Sequence, residues 1–163
     1  MSLAPAMPRQ KRGRSKQDYG TPWPLIHAVE ARFGPLAVDL AARADNAKAP
    51  RFITPEEDSL RVVWSERFPG AFGWLNPEFD PIAPWAAKCA AETAKPGRLR
   101  VALLTPASVG SNWYAEHVHG RAAVLALSPR IVFEGETLPY PKDCILSVFG
   151  LGVAGFDVWR WQP

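Results

Sequence analysis

Residues 70–80 read GAFGWLNPEFD, and the fold turns on how this stretch is taken. Phe72, Gly73, Trp74 and Leu75 form a short apolar run bounded by Gly70 on one side and by Asn76-Pro77 on the other. A run of that length without polar alternation is the pattern of a strand buried on both faces, as in a sheet covered by helices. The run gives way to an amide, a rigid imide, a carboxylate and an aromatic ring: Asn76, Pro77, Glu78 and Phe79. The set has two readings, a plain strand-ending turn or a site for a flat ring that bears an amino group.

Working outward, the flanking segments alternate between strand and helix signals. Upstream, Gly20-Thr21-Pro22 and Pro24 break the backbone, and LIHAVEARF then sets Leu25, Ile26, Val29 and Phe33 at helical spacing until Gly34-Pro35. LAVDLA (36–41) reads as a buried strand, RFIT (51–54) as a second strand, and Pro55-Glu56-Glu57-Asp58 as the first turn of a helix, where acids suit the helix dipole. Downstream, residues 81–94 are predicted helical with Ile82, Trp85, Ala86 and Cys89 on one stripe, and RVALLTP (100–106) is the clearest strand. WYAEHVHG reads as a short helix closed by Gly120, followed by AAVLALS, RIVFE, CILSVFG and FDVWRW as strands. The predicted fold is therefore an α/β sheet, parallel in its early part and an antiparallel meander in its C-terminal part. GLGVAG (150–155) matches a dinucleotide-binding string, but too few residues remain after it for the required helix and acid, so it is expected to be a hairpin turn.

The 163 residues suit one domain, taken as 18–163. The net charge of +3 is unevenly placed: Arg9, Lys11, Arg12, Arg14 and Lys16 lie in a segment 1–17 without acids, which leaves 14 basic against 16 acidic residues in the body. Segment 1–17 is expected to be a flexible basic tail that seeks polyanions. It has no apolar core of a secretory signal, and no run approaches a membrane span, so the chain reads as cytoplasmic with no membrane partner. Cys89 and Cys144 sit in apolar patterns and read as reduced core thiols. With His27, His117 and His119 they lack ligand spacing, so no metal is expected.

In open α/β sheets ligands bind beyond the carboxyl ends of the parallel strands, where Asp39, Asn76 and Thr105 end three of the predicted strands. The Asn76 side-chain oxygen and the Pro77 carbonyl are hydrogen-bond acceptors, the second held by a ring that fixes φ. Phe79 offers a π-face for a planar base. Two acceptors aimed at one exocyclic NH₂ draw its lone pair out of conjugation and make the nitrogen a nucleophile.

Asn76-Pro77-Glu78-Phe79 resembles the (Asp/Asn/Ser)-Pro-Pro-(Tyr/Phe) motif of amino-group methyltransferases that use S-adenosylmethionine. The succession YGTPWPLIHAVEARFGPLAVDLAARADNAKAPRFITPEEDSL, WLNPEFDPIAPWAAKC, VALLTPASVGSNWYAEHV and RIVFEG is similar to the small phage and prophage DNA N6-adenine methyltransferase family, from Tyr19 to the end of the chain. The resemblance implies a Rossmann-like methyltransferase fold, S-adenosylmethionine as cofactor, and double-stranded DNA as partner in a bacterial cytoplasm. It places Asn76, Pro77, Glu78 and Phe79 at the catalytic step. Tyr19, Thr21 and Pro22 fall on the cofactor side, Asp39 with Leu40 and Ala41 at the amino-acid end, and Phe52 to Asp58 near the adenosine. A base in duplex DNA must leave the stack to be reached, and Ser108, Ser111, Asn112, Arg130 and Lys142 are the implied nucleic-acid contacts. One position departs from the motif: Glu78 replaces the second proline and adds a charge that is favourable near a sulfonium and repulsive near phosphate. Two alternatives stand beside this reading. One is a methyltransferase-like module that has lost catalysis and binds nucleic acid or a partner; the other is an amino-methyltransferase acting on RNA or a protein amide.

Overall fold

The computed structural model describes residues 19–162; the basic segment 1–17 lies outside the described residues. Seven strands are present: β1 (Val38–Asp39), β2 (Arg51–Phe52), β3 (Phe72–Leu75), β4 (Arg100–Pro106), β5 (Ala122–Ser128), β6 (Cys144–Phe149) and β7 (Gly155–Arg160). They form one sheet in the order β2-β1-β3-β4-β6-β5-β7. β1 pairs in parallel with β2 and β3, and β3 in parallel with β4. β6 runs antiparallel to both β4 and β5. The parallel first half and the antiparallel pairs beyond β4 have the layout of a Rossmann-like methyltransferase fold.

Helices cover both faces, which is why β3 and the middle of β4 are apolar at every position. On one face α1 (Trp23–Phe33) buries Leu25, Ile26 and Val29 against Phe72, Trp74, Ala102 and Leu104. On the other, α2 (Trp64–Arg67) and α3 (Ala83–Ala94) place Trp64, Ala86 and Cys89 against Val38, Leu40, Leu75, Val101 and Leu103. Each large apolar side chain so buried contributes about 2 kcal/mol of transfer free energy. Gly73 in mid-strand has a packing cause: a Cβ there would stand 2.8 Å from Leu40 Cδ1, so the missing side chain lets Leu40 fill the space over β3.

Local expectations are corrected at several points. RIVFE is not a strand. Ile131 and Phe133 are buried, but the backbone of this segment serves other partners, with Glu134 N–H donating to Gly20 C=O and Tyr140 N–H to Ile131 C=O. The late strands do not succeed one another across the sheet either, because β6 is inserted between β4 and β5, and β7 pairs in parallel with β5. GLGVAG is consequently not a hairpin turn; it carries the chain from β6 across the end of β5 to β7. Pro55–Glu57 forms a single 3₁₀ turn with a Thr54/Glu57 capping box rather than the start of an α-helix. The short helix at residues 112–118 does form, and Tyr114–Val118 adopt π geometry with His119 N–H bonded to Tyr114 C=O. Among the described residues no helix is long and apolar enough to cross a membrane.

Candidate active site

β2 lies on one side of β1 and β3 on the other, so the chain reverses its direction of sheet growth between β1 and β3. That is the switch point at which open α/β sheets leave a crevice beyond their strand ends. A cavity of about 370 Å³ opens there, within the roughly 300–1,000 Å³ range of small-molecule sites. Asp39 ends β1 and Asn76 comes directly after β3, and both line it.

Asp39 is 3 % exposed. Its carboxylate accepts from the backbone N–H of Lys48 at 3.0 Å and of Ala41 at 3.3 Å. Burial pushes the Asp39 carboxyl up to about 6, against those two amide bonds and the Lys48 charge, which pull it down. Lys48 is itself buried, with Nζ 2.7 Å from Glu134 Oε1 and 4.5 Å from the centroid of the Trp23 ring. Asn76 donates from Nδ2 to the Tyr19 carbonyl at 2.7 Å and to Thr21 Oγ1 at 3.0 Å. Residues 19–21 thus run as a strap between the end of β3 and the segment 133–134.

Of the residues that the sequence singled out, Tyr19, Thr21, Asp39, Ala41, Asp58, Asn76, Pro77 and Glu78 share the cavity wall. Pro22 is outside it as the N-cap of α1, Leu40 is fully buried in the core with its amide bonded to Trp74 C=O, and Phe52 sits on the edge strand β2. Phe79 is half-buried beside the cavity in a group of four rings, stacked on Tyr19 at 6.4 Å and edge-on to Phe133 and Tyr140 at 6.4 and 5.9 Å. Its π-face is therefore shared with protein rings rather than standing free. Ser108, Ser111, Asn112, Arg130 and Lys142 are not on the cavity wall. Ser108, Ser111 and Asn112 lie in the loop after β4, whose Ala107 N–H donates to Asp143 C=O, while Arg130 Nε is held at 2.8 Å by the Asp143 carboxylate, next in sequence to Lys142. Thr105, near the end of β4, is buried, and its hydroxyl has no hydrogen-bond partner in the described structure.

The wall also includes Thr54, within the stretch expected near the adenosine, and Asn46, Lys48, Ser59, Trp74 and Trp85, which sequence reasoning missed. Asn46 had a signal, since it lies in the polar loop after a strand that ends in an acid. Trp74 is a core residue and Trp85 is half-buried against the core; only the tertiary fold shows that both also line the cavity. The donor set combines acids (Asp39, Asp58, Glu78), cations (Arg43, Lys48) and flat apolar surface (Ile53, Pro55, Trp85). It suits a zwitterionic ligand that carries hydroxyls and a planar ring.

Residues 10–143 match the model of the family described as DNA N-6-adenine-methyltransferase (Dam). A protein of Haemophilus phage HP1 (strain HP1c1) named DNA N-6-adenine-methyltransferase is 28 % identical over 100 residues, which are 60 % of this chain and 56 % of the phage protein. YfdM of Escherichia coli (strain K12), named as a methyltransferase, is 36 % identical over 69 residues, 40 % of this chain and 69 % of that protein. The match thus spans little more than half the length of the phage relative. No solved structure matches the chain at a significant level.

Proposed function

Because the chain belongs to the DNA N-6-adenine-methyltransferase (Dam) family, we propose that it transfers a methyl group from S-adenosylmethionine to N6 of adenine in DNA, in the cytoplasm. One observation supports this above the others: Asp39 and Asn76 end neighbouring parallel strands and meet on one cavity at the switch point of the sheet. S-adenosylmethionine, when bound, supplies a methyl group on a sulfonium and needs no further activation. The Asp39 carboxylate is the group for its ammonium, a charge-assisted contact. Thr54, Pro55, Asp58 and Ser59 form the wall suited to ribose and adenine.

Asn76 Oδ1 and the Pro77 carbonyl accept the two hydrogens of the target amine and hold its lone pair toward the methyl carbon. With S-adenosylmethionine bound, the N6–C bond would form as the sulfonium S–C bond broke with its electron pair going to sulfur, and the surplus N6 proton would leave to water. Orientation at this step supplies most of the acceleration. The target adenine leaves the duplex stack to reach the cavity, and the ring group of Tyr19, Phe79, Phe133 and Tyr140 flanks it there, with Phe79 already packed among the protein rings. Glu78 lines the same cavity, where its charge favours the sulfonium side.

Purified protein, unmethylated duplex DNA and methyl-labelled cofactor test the reading. N6-methyladenine is expected in the digested DNA, and Asn76→Ala is expected to lower kcat about 100-fold or more with cofactor affinity retained. Cofactor binding without N6-methyladenine in the DNA would refute catalysis on DNA. The same labelled assay with RNA or protein as acceptor would then reveal another substrate.

A further inference from the structure

We propose that Thr21, together with the Tyr19 carbonyl, is a positioning residue that decides which atom of Asn76 faces the target amine. The inference rests on the functional reading above and deepens it. A carboxamide has two nearly identical ends, one an acceptor and one a double donor. An amine that presents N–H groups is met productively by the oxygen alone, so a flipped Asn76 side chain would set donors against donors. In this chain the choice is made by the strap. Asn76 Nδ2 stands 2.7 Å from the Tyr19 carbonyl oxygen, which can only accept, so the nitrogen end must face it. The second amide hydrogen goes to Thr21 Oγ1 at 3.0 Å, and Thr21 is 1 % exposed. With both hydrogens engaged, Oδ1 is the free end of a planar group whose other end is fixed.

The strap is held in turn from its far side. Glu134 N–H donates to Gly20 C=O at 2.9 Å, Tyr19 packs on Phe133 at 5.0 Å, and Lys48 ties Glu134 at 2.7 Å. A Cβ at Gly20 would collide with the Glu134 side chain, so the strap lies flush against segment 133–134. Asparagine therefore has a specific cause at position 76: an ionised aspartate would turn an oxygen without a hydrogen toward the Tyr19 carbonyl.

Thr21→Val, which keeps the shape and removes the hydroxyl, is compared with Thr21→Ser. In Thr21→Val kcat for methyl transfer to DNA, read at saturating S-adenosylmethionine so that any change in cofactor Kd is removed, is expected to fall about tenfold or more, and Thr21→Ser should recover most of the rate. Wild-type kcat in Thr21→Val, or a loss confined to the cofactor Kd, overturns the proposal. If Thr21→Val does not fold, Asn76→Asp decides. Its carboxyl can donate to Tyr19 only when protonated, so its residual kcat at saturating cofactor should rise as pH is lowered; a wild-type rate, or a rate that does not rise with acid, overturns the proposal. A readout independent of activity separates this inference from the functional reading. The Asn76 side-chain NH₂ resonances, identified by their loss in Asn76→Asp, should exchange slowly with water in the wild-type protein and rapidly in Thr21→Val. Rapid exchange in the wild type overturns the proposal even if the protein methylates DNA.

Discussion

At Asp39 the sign of the pKa shift carries two opposite consequences. Burial raises its carboxyl from the ordinary 3.8 to about 6, so ionising it disfavours the folded state. The stability that the neutral form contributes is fully present below about 3.8 and is lost as pH rises through about 6. A bound ammonium reverses the preference, because it needs the ionised form. The affinity for S-adenosylmethionine is therefore expected to weaken as pH is lowered through about 6, by up to about tenfold per pH unit. In Asp39→Asn that step should vanish, with weaker binding and unchanged or higher stability at neutral pH. Calorimetry across this range checks the claim, and an unaltered pH step in the variant would show that another group anchors the ammonium. Asp39 and Asn76 were legible in the sequence because each is a polar residue that interrupts or ends an apolar run, and such positions fall at strand ends. Lys48 was not, since nothing local indicates that a lysine nine residues beyond Asp39 returns its amide to that carboxylate. Phe79 was legible as an aromatic at the rim but not as one of four packed rings, because Phe133 and Tyr140 reach it from distant parts of the chain.

At the scale of elements, the segment after β6 shows how one string of residues can match a motif for unrelated reasons. Gly150 has φ +87, and a Cβ there would lie 2.5 Å from the Leu99 carbonyl oxygen, so both the backbone angle and the close approach to β4 require glycine. Gly152 also has positive φ, +75, yet nothing stands within 4 Å of its missing side chain. Gly150→Ala is therefore expected to cost about 3 kcal/mol or more, through overpacking added to the left-handed φ. Gly152→Ala should cost only about 1 kcal/mol. Chemical denaturation of the two variants measures the difference, and equal costs would show that the backbone angle alone accounts for both. The same segment marks the limit of reading elements from sequence. The apolar pattern located β3, β4, β5 and β6, because burial on a sheet leaves a local imprint, whereas β7 was located by the alternation of Phe156 and Val158 although both are exposed. Which strand neighbours which is set by contacts far apart in sequence, so the insertion of β6 between β4 and β5 left no local signal. RIVFE carries the alternation of a strand, with Ile131 and Phe133 buried, but its backbone finds partners in Gly20 and Tyr140 and never joins the ladder.

For the whole molecule, charge is divided between a near-neutral body and a basic segment, and on the function proposed above this bears on how DNA would be held. The body has 14 basic against 16 acidic residues, while segment 1–17 has five basic residues and no acid. Within the body, Arg130 is already paired with Asp143 at 2.8 Å, which lowers its value to a phosphate. Lys142 is exposed beside that pair. Each phosphate neutralised contributes about 0.9 to the slope of log K against log salt concentration. If the five basic residues of the segment supply the electrostatic contacts, deleting residues 1–17 should flatten that slope by up to about 4.5 and weaken DNA binding most at low salt. Lys142→Ala should alter it by no more than about 1, with similar effect on any DNA sequence. Fluorescence anisotropy on duplexes of unrelated sequence, titrated between low and moderate salt, reads both changes. Because S-adenosylmethionine, with a sulfonium and an ammonium against one carboxylate, has no net negative charge for the basic segment to attract, its Kd should not move with the deletion. A slope that survives the deletion would assign the phosphate contacts to the rim around Asp143, where breaking the Arg130 pair by Asp143→Asn would then be expected to strengthen DNA binding.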